Sequence, residues 1–299
     1  MRMGEKVWTH WPLIVVTLVT IGEVISTARH STHPAVAAYC TVLAAATWAL
    51  SGRRTQERAV SGGYFAQFTT WDLYVRPHTP PEEPTALYTA LAQRMQQTDQ
   101  HVTAYATCNG LDRISIGLPR PRDAFADARS ARYRNAGHLW LGARWFHPHY
   151  THHLPAVLEH ELAHIRRNDT RGRLAVESCA VAVSVLAAGL LPLVATSLTV
   201  LAAWLATRAF RWWSELACDL AAIRACGRAS VAAMWTADLA DERNLRWPVR
   251  SLHALWALNR HPPLRLRRWF SLHIPGPTSD ARHPLARSPI RAHTAPGNQ

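Results

Sequence analysis

Charge is what this sequence lacks over long stretches. No Lys, Arg, Asp or Glu occurs between Arg29 and Arg53 or from Ser178 to Thr207, and Glu23 alone interrupts the interval from Lys6 to Arg29. A soluble fold needs polar residues to cover its surface, so runs of this kind exclude an ordinary soluble architecture for those parts of the chain. Acidic residues are scarce too, 20 against 33 Lys and Arg, which leaves a formal net charge of +13. No basic-aromatic motif accompanies that excess, so nucleic acid is set aside as a partner. Cysteine is sparse: five residues, with Cys40 and Cys179 inside the apolar runs and Cys108, Cys218 and Cys226 outside them, give no disulfide framework.

What is present begins with the apolar runs themselves. Each of the first two gaps is long enough for a spanning helix of about 20 residues. The short link from Arg29 to Pro34 makes them an N-terminal transmembrane hairpin over residues 1–54. A cleaved signal peptide competes for the first run, but a second apolar span follows at once and no clear small-x-small cleavage site precedes it. The run from Ser178 to Thr207 would make about 45 Å of helix, too long for one upright span and short for two. Gly189 and Pro192 near its middle are turn signals, so two short or partly re-entrant helices are expected, about Leu174 to Leu190 and Pro192 to Thr207. Basic residues flank the runs on one side, at Arg2 and Lys6, Arg53 and Arg54, Arg166 to Arg173, and Arg208 and Arg211. The positive-inside rule then places both termini and the region between the hairpins in the cytoplasm of a multi-pass cell-membrane protein.

Between the hairpins the chain is soluble in character, with a Pro-rich link at Pro77, Pro80, Pro81 and Pro84 and a helix expected from about Thr85 to Gln97. The segment from His138 to Arg144 reads as a strand. It is either an edge strand that pairs with an extended substrate or an ordinary core strand. Next comes Val157-Leu158-Glu159-His160-Glu161-Leu162-Ala163-His164-Ile165, an H-E-x-x-H sequence in an apolar, helix-compatible frame. Residues four apart share a helix face, so His160 and His164 can turn ring nitrogens toward one metal while Glu161 sits one step around. With 17 His in the chain, composition allows about 0.03 accidental matches, too few for chance to be the better explanation. The pairs His147/His149, His152/His153 and Arg166/Arg167 read as solvated surface, and Asp169 as surface or helix end rather than ligand.

A catalytic zinc takes three protein ligands, and one class completes two His with a Glu from a later helix. Within Trp212-Trp213-Ser214-Glu215-Leu216-Ala217-Cys218-Asp219, Glu215 suits that place. Asp219, one turn on, is positioned to accept the N–H of a ligand His. Sharing a metal with His160 and His164 requires Glu215 to lie in the same compartment, hence an even number of crossings between them.

His160-Glu161-Leu162-Ala163-His164, then Glu215-Leu216-Ala217-Cys218-Asp219, then His261-Pro262-Pro263 with Arg267 behind it, resembles the membrane gluzincins of the HtpX and CAAX prenyl-protease type. The likeness covers about Leu139 to Trp269; in place of their Asn-Ala-Phe strand motif stands Asp123-Ala124-Phe125. The resemblance implies one Zn²⁺ held by His160, His164 and Glu215, Glu161 as base, and endopeptidase activity at the cytoplasmic face on protein or peptide substrates, membrane proteins among them. By resemblance His261 or Arg267 reaches the site and stabilises the oxyanion; alternatively His261-Pro262 only ends a helix and Arg265, Arg267 and Arg268 meet anionic headgroups of the lipid bilayer. The Glu-x-x-Cys-Asp wording also resembles the sensor-transducer metalloproteases, and the alternative is such a transducer or a non-catalytic membrane signalling module; a sensor needs an outer domain, and the general protease is favoured.

The expected fold class is a mainly α integral membrane protein, an α+β zincin-like metalloprotease core with about four transmembrane or re-entrant helices. Its expected parts are the hairpin 1–54, a metalloprotease region 55–173, a second hairpin 174–208, the third-ligand helix and remaining core 209–272, and a disordered tail 273–299 poor in apolar residues.

Overall fold

The computed structural model describes residues 22–30, 33–61, 84–117, 128–146, 150–244, 246–258, 261–277 and 285. Most of these are helical, and they build two hydrophobic cores on different elements.

The first core is made of the apolar runs. Helix α1 spans Pro34–Ser61; α4, Asp169–Leu190, and α5, Leu193–Cys226, form the later hairpin. These three are long and apolar enough to cross a membrane, α1 over Pro34–Glu57. The earlier apolar run lies mostly outside the described residues, though its last part, 22–30, is helical. That segment sets Val24 and Ala28 against Cys40, Ala44 and Val185. Small residues let these helices approach closely. A Cβ on Gly189 would stand 2.9 Å from that of Ala37, and one on Gly52 would collide with Leu174, so α1 and α4 run antiparallel in contact at both ends. Hydroxyls in this apolar setting bond back to the preceding turn, as Thr41 does to Ala37 O at 2.8 Å and Ser184 to Ala180 O at 2.7 Å. Tyr39, Val42, Leu50, Val194, Leu198 and Trp204 point outward and are exposed.

The hairpin turn sits at Leu191 and Pro192. Leu191 is extended, its N–H still reaching Ala187 O at 2.8 Å, and Pro192 has no N–H with which to continue α4. Helix α5 then runs unbroken from Leu193 to Cys226, because neither Gly nor Pro interrupts it. The expected boundary at 208/209 is therefore not a break: one helix serves as the second arm of the hairpin and the carrier of Glu215. The Arg211 guanidinium, one turn before Glu215, meets the Glu177 carboxylate and ties α5 to α4.

The second core is α+β. Helix α2 spans Pro84–Cys108, longer than the sequence suggested, since Met95, Val102 and Ala106 keep a buried stripe going beyond Gln97. Strands β1 (Arg113–Gly117), β2 (Ala128–Tyr133) and β3 (Ala136–Leu141) form a sheet of order β1-β3-β2, β3 being parallel to β1 and antiparallel to β2. This corrects the edge-strand reading of His138 to Arg144. Both sides of β3 are occupied by ladders, and the chain leaves the sheet at Leu141 for a 3₁₀ turn over Ala143–Phe146. Helix α3, Leu154–Arg167, packs fully buried Leu154, Leu158, Leu162 and Ile165 into the same core as Leu139 and Leu141. Gly137 is required for that approach, because a Cβ there would lie 2.9 Å from Ile165 Cγ2.

Helix α5 ends at Gly227, whose φ of 89° turns the chain back into α6, Arg228–Arg243, followed by α7, Trp247–Leu258, and α8, Leu264–His273. One described residue of the expected disordered tail departs from expectation. Leu285 is buried in the second core, and its carbonyl accepts a 2.7 Å hydrogen bond from Arg94. His153, expected on the surface with its neighbours, is buried, and burial followed by the nearby His152 and Arg144 charges pushes its ring down to about 4. His147, His149 and Asp123-Ala124-Phe125 lie outside the described residues.

Candidate metal centre

Helix α3 presents His160 and His164 on one face, and α5 descends beside it to bring in Glu215. The two Nε2 atoms are 3.2 Å apart; Glu215 Oε2 lies 3.5 Å from that of His160, and Oε1 lies 3.6 Å from that of His164. Zinc bonds of about 2.0–2.1 Å in a tetrahedral shell separate neighbouring ligand atoms by about 3.3 Å. The three side chains already stand at that spacing. Glu215 Oε2 is buried without a hydrogen bond, in ion-pair contact with Arg267 Nη1 at 3.1 Å and His160 Nε2 at 3.5 Å. Two imidazoles and a carboxylate are also a donor set that zinc prefers. On spacing, orphaned oxygen and donor chemistry, these residues fit the ion.

Each of the two His has its own carboxylate. Asp219 Oδ1 lies 3.0 Å from His160 Nδ1, and Asp169 Oδ2 lies 2.9 Å from His164 Nδ1. A carboxylate at Nδ1 holds the proton there and leaves Nε2 as the donor toward the metal. Asp219 is a residue the sequence offered for this task; Asp169 is one it did not. Asp169 is indeed the first residue of α4, but Asn168 adopts a left-handed conformation with φ 54°, ending α3 and folding Asp169 back over His164. Asn tolerates that conformation better than most residues, so Asn168-Asp169 just after the motif was a readable signal. Arg167 joins the same corner, 3.2 Å from Asp169 and stacked over Trp213 at 4.5 Å, so it is not solvated surface.

Glu161 is not one of the three grouped donors. Its Oε2 accepts a 2.7 Å hydrogen bond from Ser130 of β2, so the outer strand beside β3 fixes the carboxylate. Arg267, on α8, is buried and does not face lipid. It grips Asp219 with two bonds, Nε to Oδ2 at 2.8 Å and Nη2 to Oδ1 at 2.7 Å, and its guanidinium lies 3.7 Å from the ring centroid of Trp235. Trp235, on α6, was not singled out by sequence. His261, preceding α8, places Nδ1 3.0 Å from Glu215 Oε1 with its side chain half exposed. Cys218 is packed within the site, its thiol 3.4 Å from Asp169 Oδ2.

No family model, curated protein or solved structure matches the chain.

Two outcomes are expected from it. Asp169→Ala and Asp219→Ala should each weaken zinc binding about 10- to 100-fold, as lost outer partners of a ligand His do. Chelator competition on the purified variants measures this; unchanged affinity for Asp169→Ala would make its contact with His164 incidental. The second outcome concerns pH. Burial opposes charge on His160, but the hydrogen bonds to Asp219 and Glu215 outweigh it and raise the ring to about 9 in the metal-free protein. An unfolded His titrates near 6.5, so this raised value stabilises the metal-free fold fully below about pH 6.5 and less and less as pH climbs to about 9. Zinc has to displace that proton, so its affinity should rise over the same window by up to about tenfold per pH unit. Metal affinity flat from pH 6.5 to 9 would show that no such proton is held.

Proposed function

We propose that the chain is a zinc-dependent endopeptidase anchored by its apolar helices, hydrolysing peptide bonds in protein or peptide substrates at the cytoplasmic face of the cell membrane. The observation that carries this reading is the 3.2–3.6 Å spacing of the His160, His164 and Glu215 donor atoms, with an independent carboxylate, Glu161, next to the first of them. His160, His164 and Glu215 would hold the ion. When bound, zinc supplies Lewis-acid polarisation of a peptide carbonyl and lowers the pKa of water to about 7.

The rest is done by the chain's own groups. Glu161 accepts the proton of the attacking water and delivers it to the departing amine, and Ser130 keeps its carboxylate aimed through the bond to Oε2. Asp169 and Asp219 hold the two imidazoles in one orientation. His261, half exposed and fixed at 3.0 Å from Glu215, is the group placed to meet charge developing on a substrate oxygen. Arg267 already has both faces of its fork engaged with Asp219 and Glu215 and holds the site together instead.

The test is metal analysis of the purified protein in detergent, with about one zinc per chain expected and loss of that zinc in Glu215→Ala. For orientation, reporters fused after Arg173 and after Arg211 should both signal cytoplasm. Reporters on opposite sides would place His164 and Glu215 across a bilayer about 30 Å thick, where no bond of about 2 Å joins them.

A further inference from the structure

A cavity of about 550 Å³ lies away from the metal centre, lined by Leu239, Glu242 and Arg243 of α6, Arg250 of α7 and Arg265 of α8. Three Arg line it against one Glu. Planar guanidinium forks suit phosphate oxygens.

Its depth follows from helix arithmetic. On α5 the charge-free run ends at Thr207, eight residues before Glu215, so the metal centre lies about 12 Å from the edge of the apolar slab. The chain reverses at Gly227 and α6 returns toward the slab. Trp235 marks the metal level on α6, its ring centroid 6.0 Å from that of His160. Eight residues further on is Arg243, again about 12 Å, which brings it level with Thr207. The far end of α7 stands at a similar height, because Trp212 Nε1, five residues past Thr207, donates to Leu258 O at 3.3 Å. The far end of α7 is thus about 8 Å from the slab edge and its start follows Arg243 by four residues, so the helix lies along the membrane rather than through it. The headgroup layer on each side of a bilayer is about 5–7 Å thick, so the cavity opens at headgroup depth. Trp247, at the start of α7, is 71% exposed on this level, as expected of an interfacial aromatic.

We propose that this cavity binds the phosphate group of an anionic phospholipid, with Arg243, Arg250 and Arg265 as its ligands. Inorganic phosphate offers the same oxygens without a lipid anchor, so it is the other source to be distinguished. The proposal depends on the helices entering a bilayer and not on proteolysis, and its test reads no cleavage.

The experiment uses the full chain in neutral detergent, with the thermal unfolding midpoint followed during titration with phosphatidylglycerol, phosphatidylcholine or inorganic phosphate. Phosphatidylglycerol should raise the midpoint saturably, phosphatidylcholine and inorganic phosphate should not, and Arg250→Gln/Arg265→Gln should raise the half-saturating concentration at least tenfold. Arg228→Gln, at the opposite end of α6, should leave it unchanged. If the double variant loses helix content by circular dichroism, Arg250→Lys keeps the charge while removing the fork and should still weaken binding several-fold. Equal response to both lipids, or wild-type affinity in the variants, overturns the site; inorganic phosphate acting as strongly as the lipid overturns the lipid as its ligand.

Discussion

Replacing Glu161 by Gln should leave about one zinc per chain and lower peptide hydrolysis by roughly a thousandfold, within the range a general base contributes. The two halves of that result rest on different observations. Zinc is retained because the donor atoms belong to His160, His164 and Glu215, and Glu161 is engaged elsewhere, by Ser130 at 2.7 Å. A Gln side chain has the same shape and still offers an oxygen to the Ser130 hydroxyl, so the pocket should not collapse. Hydrolysis falls because an amide cannot take a proton from water. Metal analysis beside a single-turnover peptide assay separates the two, and a Gln variant of full activity would remove Glu161 from the chemistry. Loss of zinc together with activity would instead show that Glu161 supports the ligand set.

The residues that sequence made readable are those whose relation is local or set by charge. His160 and His164 meet because they are one helical turn apart. The turn between α4 and α5 falls where Gly189 and Pro192 announce it. What stayed hidden depends on the path of the chain in space. The segment from His138 onward has the pattern of a strand, but only the crossover that brings β1 to its far side makes it central. Trp235 and Arg267 sit 32 residues apart on α6 and α8, and their stacking follows from how those helices pack. The length of α5 is not legible because Arg208 and Arg211 look like an end to the apolar helix; instead Arg211 reaches across to Glu177 on α4, and Arg208 lies over Trp204 one turn back on α5 itself.

Arg267→Gln should be the most destabilising single change at the site. In the native protein its guanidinium balances Asp219, whose side chain is fully buried, and Glu215, which is nearly so. Removing one partner of a buried ion pair costs about 3–5 kcal/mol, because the other charge is left without compensation. Here two carboxylates lose a partner at once. The loss should be larger in chelated protein than in zinc-loaded protein, where Glu215 has the ion as a second counter-charge. Arg267→Lys should recover part of it, as it restores one positive charge but not the two-pronged grip on Asp219 at 2.7 and 2.8 Å. Thermal unfolding in detergent, with and without chelator and in a Glu161→Gln background to avoid self-cleavage, reads these differences. The rival role, a guanidinium reaching a substrate oxyanion, makes the opposite forecast: turnover would fall in Arg267→Gln while stability and zinc affinity held. That pattern would sink the anchoring role, and the fork of Arg267 would then have to release Asp219 during each catalytic cycle.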